Sequence, residues 1–169
     1  MALVLGMNAK LYYEAGGYSP IGGGDDKADL TSGAGTVIDL ARDVTQNLET
    51  AEADVTTRGN NGWRATAPTL KDGSVDFQIV WDTANAVFQD LIDAWLNASL
   101  VGMAVLDAVY SAETTPGAHD GTGTGLVTNF RITNFTRNEA LEEALIVDVT
   151  AKPTYSDVEA AWLDRGGYV

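Results

Sequence analysis

Cysteine is missing from this sequence of 169 residues, which excludes disulfides and thiolate metal sites and suits a reducing compartment. Histidine occurs once, at His119. Basic residues are scarce: 10 Lys and Arg stand against 24 Asp and Glu, a net charge of −14. Such a surface repels nucleic acid, because tight DNA binding needs cations that displace phosphate counterions. An acidic balance also serves plain solubility. No run approaches the ~20 apolar residues of a membrane span. The opening MALVLGMNAK has neither the basic start nor the apolar length of a signal peptide. The expectation is a soluble chain with no membrane partner.

What is present fits a folded domain. Hydrophobic residues make up 45% of the chain, and one domain of this size buries ~70% of its unfolded surface. The stretch from Asn47 to Trp81 organises the rest. Asp72-Gly73 is a hairpin signal, since both residues tolerate positive φ. Beyond it Val75, Phe77, Ile79 and Trp81 alternate with polar neighbours, as in a half-buried strand. Before it, Ala53 to Arg58 runs into Gly59-Asn60-Asn61-Gly62, which must turn or loop.

Taken in order, Met1 to Glu14 reads as a first strand, and residues 15–35 as a long Gly-rich loop. Thr36 to Leu48 places Ile38, Leu40, Val44 and Leu48 on one strand face, with a helix as the alternative. Arg64 to Leu70, holding Pro68, is a weaker strand at an edge or bulge. Thr83 to Asn97 is the one helix, with Ala84, Val87, Phe88, Leu91, Ile92, Trp95 and Leu96 on one side and Asp82 or Thr83 as N-cap. Burying that face is worth ~10 kcal/mol before entropy is subtracted. Strands follow at Leu100 to Tyr110, Leu126 to Arg137 and Leu145 to Lys152, with a Gly/Thr/Pro-rich loop at 111–125 and a hairpin connection at 138–143. Asp157 to Asp164 reads as a short helix, and Gly166 to Val169 as a tail ordered only by a partner.

Little here suits bond-making chemistry. His119 lies in a Gly-rich loop with no fixed partner. Asp25, Asp26 and Asp29 do not match the spacing of a calcium loop and read as a solvated turn. Gly121, Gly123 and Gly125 precede a strand, not the helix N-terminus that a phosphate requires. Glu142 and Glu143 are adjacent, so on a strand they point to opposite faces. We expect no enzyme activity, no metal and no cofactor.

The segments Asp43-Val44-Thr45-Gln46-Asn47-Leu48-Glu49, Ala53-Asp54-Val55-Thr56-Thr57-Arg58-Gly59-Asn60-Asn61-Gly62-Trp63-Arg64 and Leu70-Lys71-Asp72-Gly73 resemble the major tail (tail tube) proteins of long, non-contractile-tailed bacteriophages. Ile132 to Glu139 and Val149 to Tyr155 resemble the same family, so the likeness covers most of residues 40–155. It implies a mainly β subunit, a β-sandwich or half-barrel of antiparallel strands with one flanking α-helix at about 83–97. Residues 1–155 would form that domain and 156–169 a C-terminal extension. Such subunits form hexameric rings that stack into a tube for genome ejection. They belong to the virion tail, assembled in the bacterial host cytoplasm.

The partners implied are further copies of the chain, a tape measure protein, tail terminator and tail tip proteins, and double-stranded DNA passing without specific binding. The polar segments at 15–35, 49–62 and 111–125 suit arms reaching neighbouring subunits. Contacts between subunits or rings are expected at Glu49, Glu52, Asp54, Thr56, Arg58, Asn60, Asn61 and Trp63, with Arg58 facing Glu52 or Asp54 of another copy. Asp76, Gln78, Asp148 and Thr150 are expected to face the lumen. The alternatives are the inner tube of a contractile tail or type VI secretion-like needle, and a monomeric binding module using Tyr12, Tyr13, Tyr18 and Trp63. A hydrolase would have to draw on Asp25, Asp26 and Asp29.

Overall fold

The computed structural model describes residues 6–22, 25–139 and 144–169. Among them the strands are β1 (Lys10–Ala15), β2 (Thr36–Val37), β3 (Ala41–Asp54), β4 (Thr66–Val80), β5 (Val101–Leu106), β6 (Gly125–Asn138), β7 (Ile146–Pro153), β8 (Ala161–Asp164) and β9 (Gly167–Tyr168), with one helix, α1 (Ala86–Leu96). All pairings between these strands are antiparallel, in the order β2-β1-β5-β6-β7-β4-β3, with β8 on β6 and β9 on β8. The chain is mainly β with one flanking helix, as expected.

β6 is the spine. Its first half, Gly125 to Phe130, pairs with β5, and its second half, Phe130 to Asn138, pairs with β7. A register shift between Ile132 and Asn134 marks where it passes from one sheet to the other. The result is two sheets, β2-β1-β5-β6 and β6-β7-β4-β3, sharing one strand.

Two apolar clusters follow from this. The larger joins Val75, Phe77 and Ile79 of β4 and Val147, Val149 and Ala151 of β7 to Leu11, Tyr13, Val101, Met103 and Phe130 of the other sheet. Helix α1 closes it with Phe88, Leu91 and Ala94, and Trp81 meets Phe88 edge-on at 5.0 Å. The second lies behind β1 and β5, where Tyr12, Ala104, Leu106 and Val127 pack against Tyr18, Ala28, Leu30, Ala34, Val158 and Leu163. β1 and β5 therefore bury both faces, and Val101 to Ala104 is an unbroken buried run.

Several expectations are corrected. Asp72-Gly73 is not a turn: β4 runs straight through it, with Asp72 opposite Glu49 and Gly73 opposite Leu48. The reversal lies at Asn61 (φ 49°) and Gly62 (φ 82°), which supply the positive φ that a tight turn demands. Strands 64–70 and 75–81 are thus one strand. Pro68 is tolerated because β7 pairs only with Val75 to Val80, leaving the proline's far side open.

The helix starts at Ala86, later than expected, and Asn85 caps it by accepting from the Phe88 N–H at 3.0 Å. Asp82 is occupied in a preceding turn, accepting from the Ala84 N–H at 2.9 Å. Ala84 and Leu96 are exposed. The first strand begins at Lys10, preceded by a 3₁₀ turn at Gly6–Asn8, and residues 1–5 lie outside the described residues. So do 140–143, which carry Glu142, Glu143 and most of the expected hairpin connection.

Residues 15–35 are no free arm. Tyr18, Ala28, Leu30 and Ala34 are buried against the chain's own second sheet. The expected helix at 157–164 is instead strand β8, because Ala161 and Leu163 alternate into the core beside Val127 and Gly125. The tail is ordered by the chain itself: Tyr168 pairs with Leu163 and donates its hydroxyl to the Ala28 carbonyl at 2.9 Å.

Candidate assembly surface

The outer face of β3-β4-β7-β6 is polar because period-2 alternation sends Val75, Phe77, Ile79, Val147 and Val149 inward. The four residues expected on the lumen share this face. Asp76 stands opposite Thr150 and Gln78 opposite Asp148. Asp76 accepts from the Thr150 hydroxyl at 2.7 Å, the Ser74 hydroxyl at 3.0 Å and the Asn47 amide at 3.1 Å. Asp148 accepts from the Gln78 amide at 2.9 Å and from Asn138. The ladder crosses four strands. Arg42 lies opposite Gln78, and Arg131 opposite Lys152, so the face is mixed in charge and not a stripe of acid.

Both lateral edges of this sheet are open. Among the described residues β3 has no strand beyond it, and β6 past Phe130 has lost β5. Each presents backbone N–H and C=O groups to a further strand.

Past Val75 the β3–β4 hairpin continues as a two-stranded arm that leaves the core. Leu48, Val55, Trp63 and Leu70 are exposed along it, Trp63 at 80%. Its tip is held by polar contacts. Asp54 accepts from the Thr56 N–H at 2.9 Å, Thr56 accepts from the Ala65 N–H at 2.9 Å, and Thr57 donates to Asn60 at 3.1 Å. The Thr56 hydrogen bonds, with Arg64 at 3.2 Å, hold the Asp54 carboxyl below the usual carboxylate range. Asp54 is thus satisfied within its own chain, while Arg58 and Glu52 form no ion pair among the described residues. Glu49, Glu52, Asp54, Thr56, Arg58, Asn60, Asn61 and Trp63 all lie on this arm or its base.

Sequence reasoning missed a groove of about 600 Å³ beside the base of the arm. Leu48, Leu126, Pro153, Ala161, Trp162 and Val169 supply its apolar lining. No local sequence signal marks it, because its apolar lining comes from β3, β6, β7, β8 and the C-terminal residues.

The other candidate sites do not assemble. Tyr12, Tyr13 and Tyr18 are buried, so no aromatic-lined face joins them to Trp63. Asp25 and Asp29 each accept a backbone N–H, from Lys27 and Thr31, as turn-forming side chains do. Among the described residues no group of three or more His, Cys, Asp or Glu could hold a metal ion. His119 is exposed, 3.9 Å from Asp164. No helix of the described residues is long and apolar enough to cross a membrane.

No protein-family model and no curated protein matches the sequence. Solved structures do match in shape. A chain of the SPP1 tail tube, solved by solid-state NMR and cryo-EM, superposes with a TM-score of 0.58 at 12% identity, over 97% of this chain and 80% of that one. The chain has the tail-tube fold. A chain from the virion of a native gene transfer agent particle gives a TM-score of 0.60 at 12% identity, covering 98% of both chains. A chain from the tail of an empty gene transfer agent particle, refined with helical and C6 symmetry, gives 0.56 at 17% identity over 80% of this chain and 96% of that one. The shared fold spans nearly the whole chain in the longer matches.

Proposed function

We propose that this chain is the major tail tube subunit of a long, non-contractile phage-type tail. Copies close laterally into hexameric rings, and rings stack into a tube that conducts double-stranded DNA during ejection. The observation that carries this is the four-stranded sheet with a polar outer face and two open edges, on a fold shared with solved tail structures.

Edge-to-edge pairing of β3 with the second half of β6 from the next copy would satisfy both rows of backbone groups. Six copies would make a barrel of about 24 strands. With strands ~4.8 Å apart and tilted ~40°, its backbone diameter is roughly 45–50 Å, which leaves an open bore. Asp76, Gln78, Asp148 and Thr150 would then line the wall. Arg42, Arg131 and Lys152 share that wall with the carboxylates and the hydrogen-bonded ladder, so a duplex would meet mixed charge and not a continuous cationic surface. The arm at Glu49 to Trp63 would reach the next ring. Tape measure, terminator and tip proteins would meet the tube inside and at its ends, and the product would reside in the virion tail after assembly in the host cytoplasm.

Negative-stain microscopy of the purified protein tests this. The expected result is annuli or filaments with an axial channel and sixfold rings. A solitary monomer at every concentration in analytical ultracentrifugation overturns it.

A further inference from the structure

We infer that the groove at the base of the arm is the receptor for the arm tip of a second copy, with Trp63 as the inserted side chain. This rests on the tube reading and names the surface through which rings would stack. The groove and the tip are two apolar surfaces that lie at opposite ends of the arm. At one end lies an apolar hollow bounded by Leu48, Pro153, Trp162 and Val169. At the other, Trp63 stands 80% exposed and Val55 49% exposed.

One chain cannot join them itself. Between Leu48 and Asp54 the strands stay laddered to Thr66–Gly73, so the tip is held ~20 Å or more from the groove at ~3.4 Å per residue. A two-stranded ribbon is marginal in water by itself, and this one buries almost nothing of its own beyond Gly73. An outside surface must cover it.

Charge selects the same occupant. At the groove, Glu49 stands directly opposite Asp72, an unfavourable like-charge pair, with Glu159 nearby and Lys27 and Lys71 only partly offsetting them. The tip brings Arg58, which has no ion-pair partner among the described residues. Trp and Arg are the side chains that most often anchor interfaces. Tip and groove differ, so the contact is head-to-tail and repeats without closing, as a stack of rings requires.

The absence of cysteine makes a direct test possible. Asn61→Cys at the tip and Ala160→Cys beside the groove, in one chain, are treated with a short bismaleimide after assembly. A ladder of covalent multimers on a denaturing gel is expected, and none from either single variant. Filaments that yield only monomer overturn the docking while leaving the tube standing. If the unmodified protein forms no filaments, the tube reading itself fails. In parallel, Trp63→Ala should leave the melting curve unchanged and raise the concentration needed for filaments roughly 30-fold, as loss of an anchor does. Filaments forming at the parent concentration overturn the assignment.

Discussion

The side-chain amide of Asn129 closes both backbone polar groups of Tyr18, accepting from its N–H at 2.6 Å and donating to its carbonyl at 3.0 Å. Asn129 is itself buried on β6, and Tyr18 lies across Gly102 of β5, where a Cβ would come within 2.8 Å of the ring. One amide therefore fixes the Tyr18 backbone against the second sheet. Asn129→Leu should destabilise the fold by ~2–4 kcal/mol, since it strands a buried donor and a buried acceptor. Asn129→Asp should not rescue it, because a carboxylate accepts but cannot donate to the carbonyl. Urea unfolding and amide exchange at Tyr18 check both; unchanged midpoints would sink the idea.

Helix α1 contributes through Phe88 more than through its exposed end. Phe88 is fully buried between Trp81 and Phe135. Phe88→Ala should cost ~3–5 kcal/mol. Leu96→Ala, at a largely exposed position, should stay within ~0.5 kcal/mol. Chemical denaturation of the two variants gives the comparison, and equal losses would mean that the helix packs in another register.

Acid should loosen the arm before the core. The Asp54 carboxyl is held low by its hydrogen bonds from Thr56, with Arg64 adding to them. A depressed folded value contributes stability above the ordinary carboxylate value of ~4, and that contribution is lost as pH falls through the folded value. Amide exchange at Thr56 and Ala65 should therefore quicken below about pH 4, ahead of Ile79 and Val149. Uniform exchange across these sites would contradict it.

Alkali should act on both apolar clusters, through Tyr13 in the larger and through Tyr18 and Tyr168 in the second. Burial pushes the phenols of Tyr18, Tyr13 and Tyr168 well above their ordinary value of ~10, with nearby acidic groups and other tyrosines adding to the shift. The unfolded chain releases these protons first, so stability is full below ~pH 10 and falls as pH rises through the folded values. Phenolate absorbance should rise in step with loss of strand circular dichroism. Free titration near pH 10 with the fold intact would argue against it.

What the sequence disclosed depended on how many faces of an element are buried. β4 and β7 bury one face, so Val75-Phe77-Ile79 and Val147-Val149-Ala151 alternate visibly. Val87, Phe88 and Leu91 likewise mark the helix. β1 and β5 bury both, so Leu11-Tyr12-Tyr13 carries no period. In 157–164, Val158, Ala161 and Trp162 fit a helix while Ala161 and Leu163 fit a strand, and so short a segment cannot arbitrate. The polar ladder at Asp76, Gln78, Asp148 and Thr150 was legible as the complement of that alternation. The groove was not, because Leu48, Pro153, Trp162 and Val169 meet only after distant strands pair. Asp72-Gly73 misled because its local turn chemistry was outweighed by the long ladder on either side.

The irregularity near the start of β3 bears on how free subunits avoid clumping. Its ladder slips between Arg42 and Thr45, with Asp43 at φ 49°, and β6 has its own slip after Ile132. A stray strand meeting either rim would find donors and acceptors falling out of step within a few residues. Only a rim bent at the matching point could zip along the full length, so the same kinks that interrupt each ladder would discourage amyloid-like growth and reward the correct neighbour.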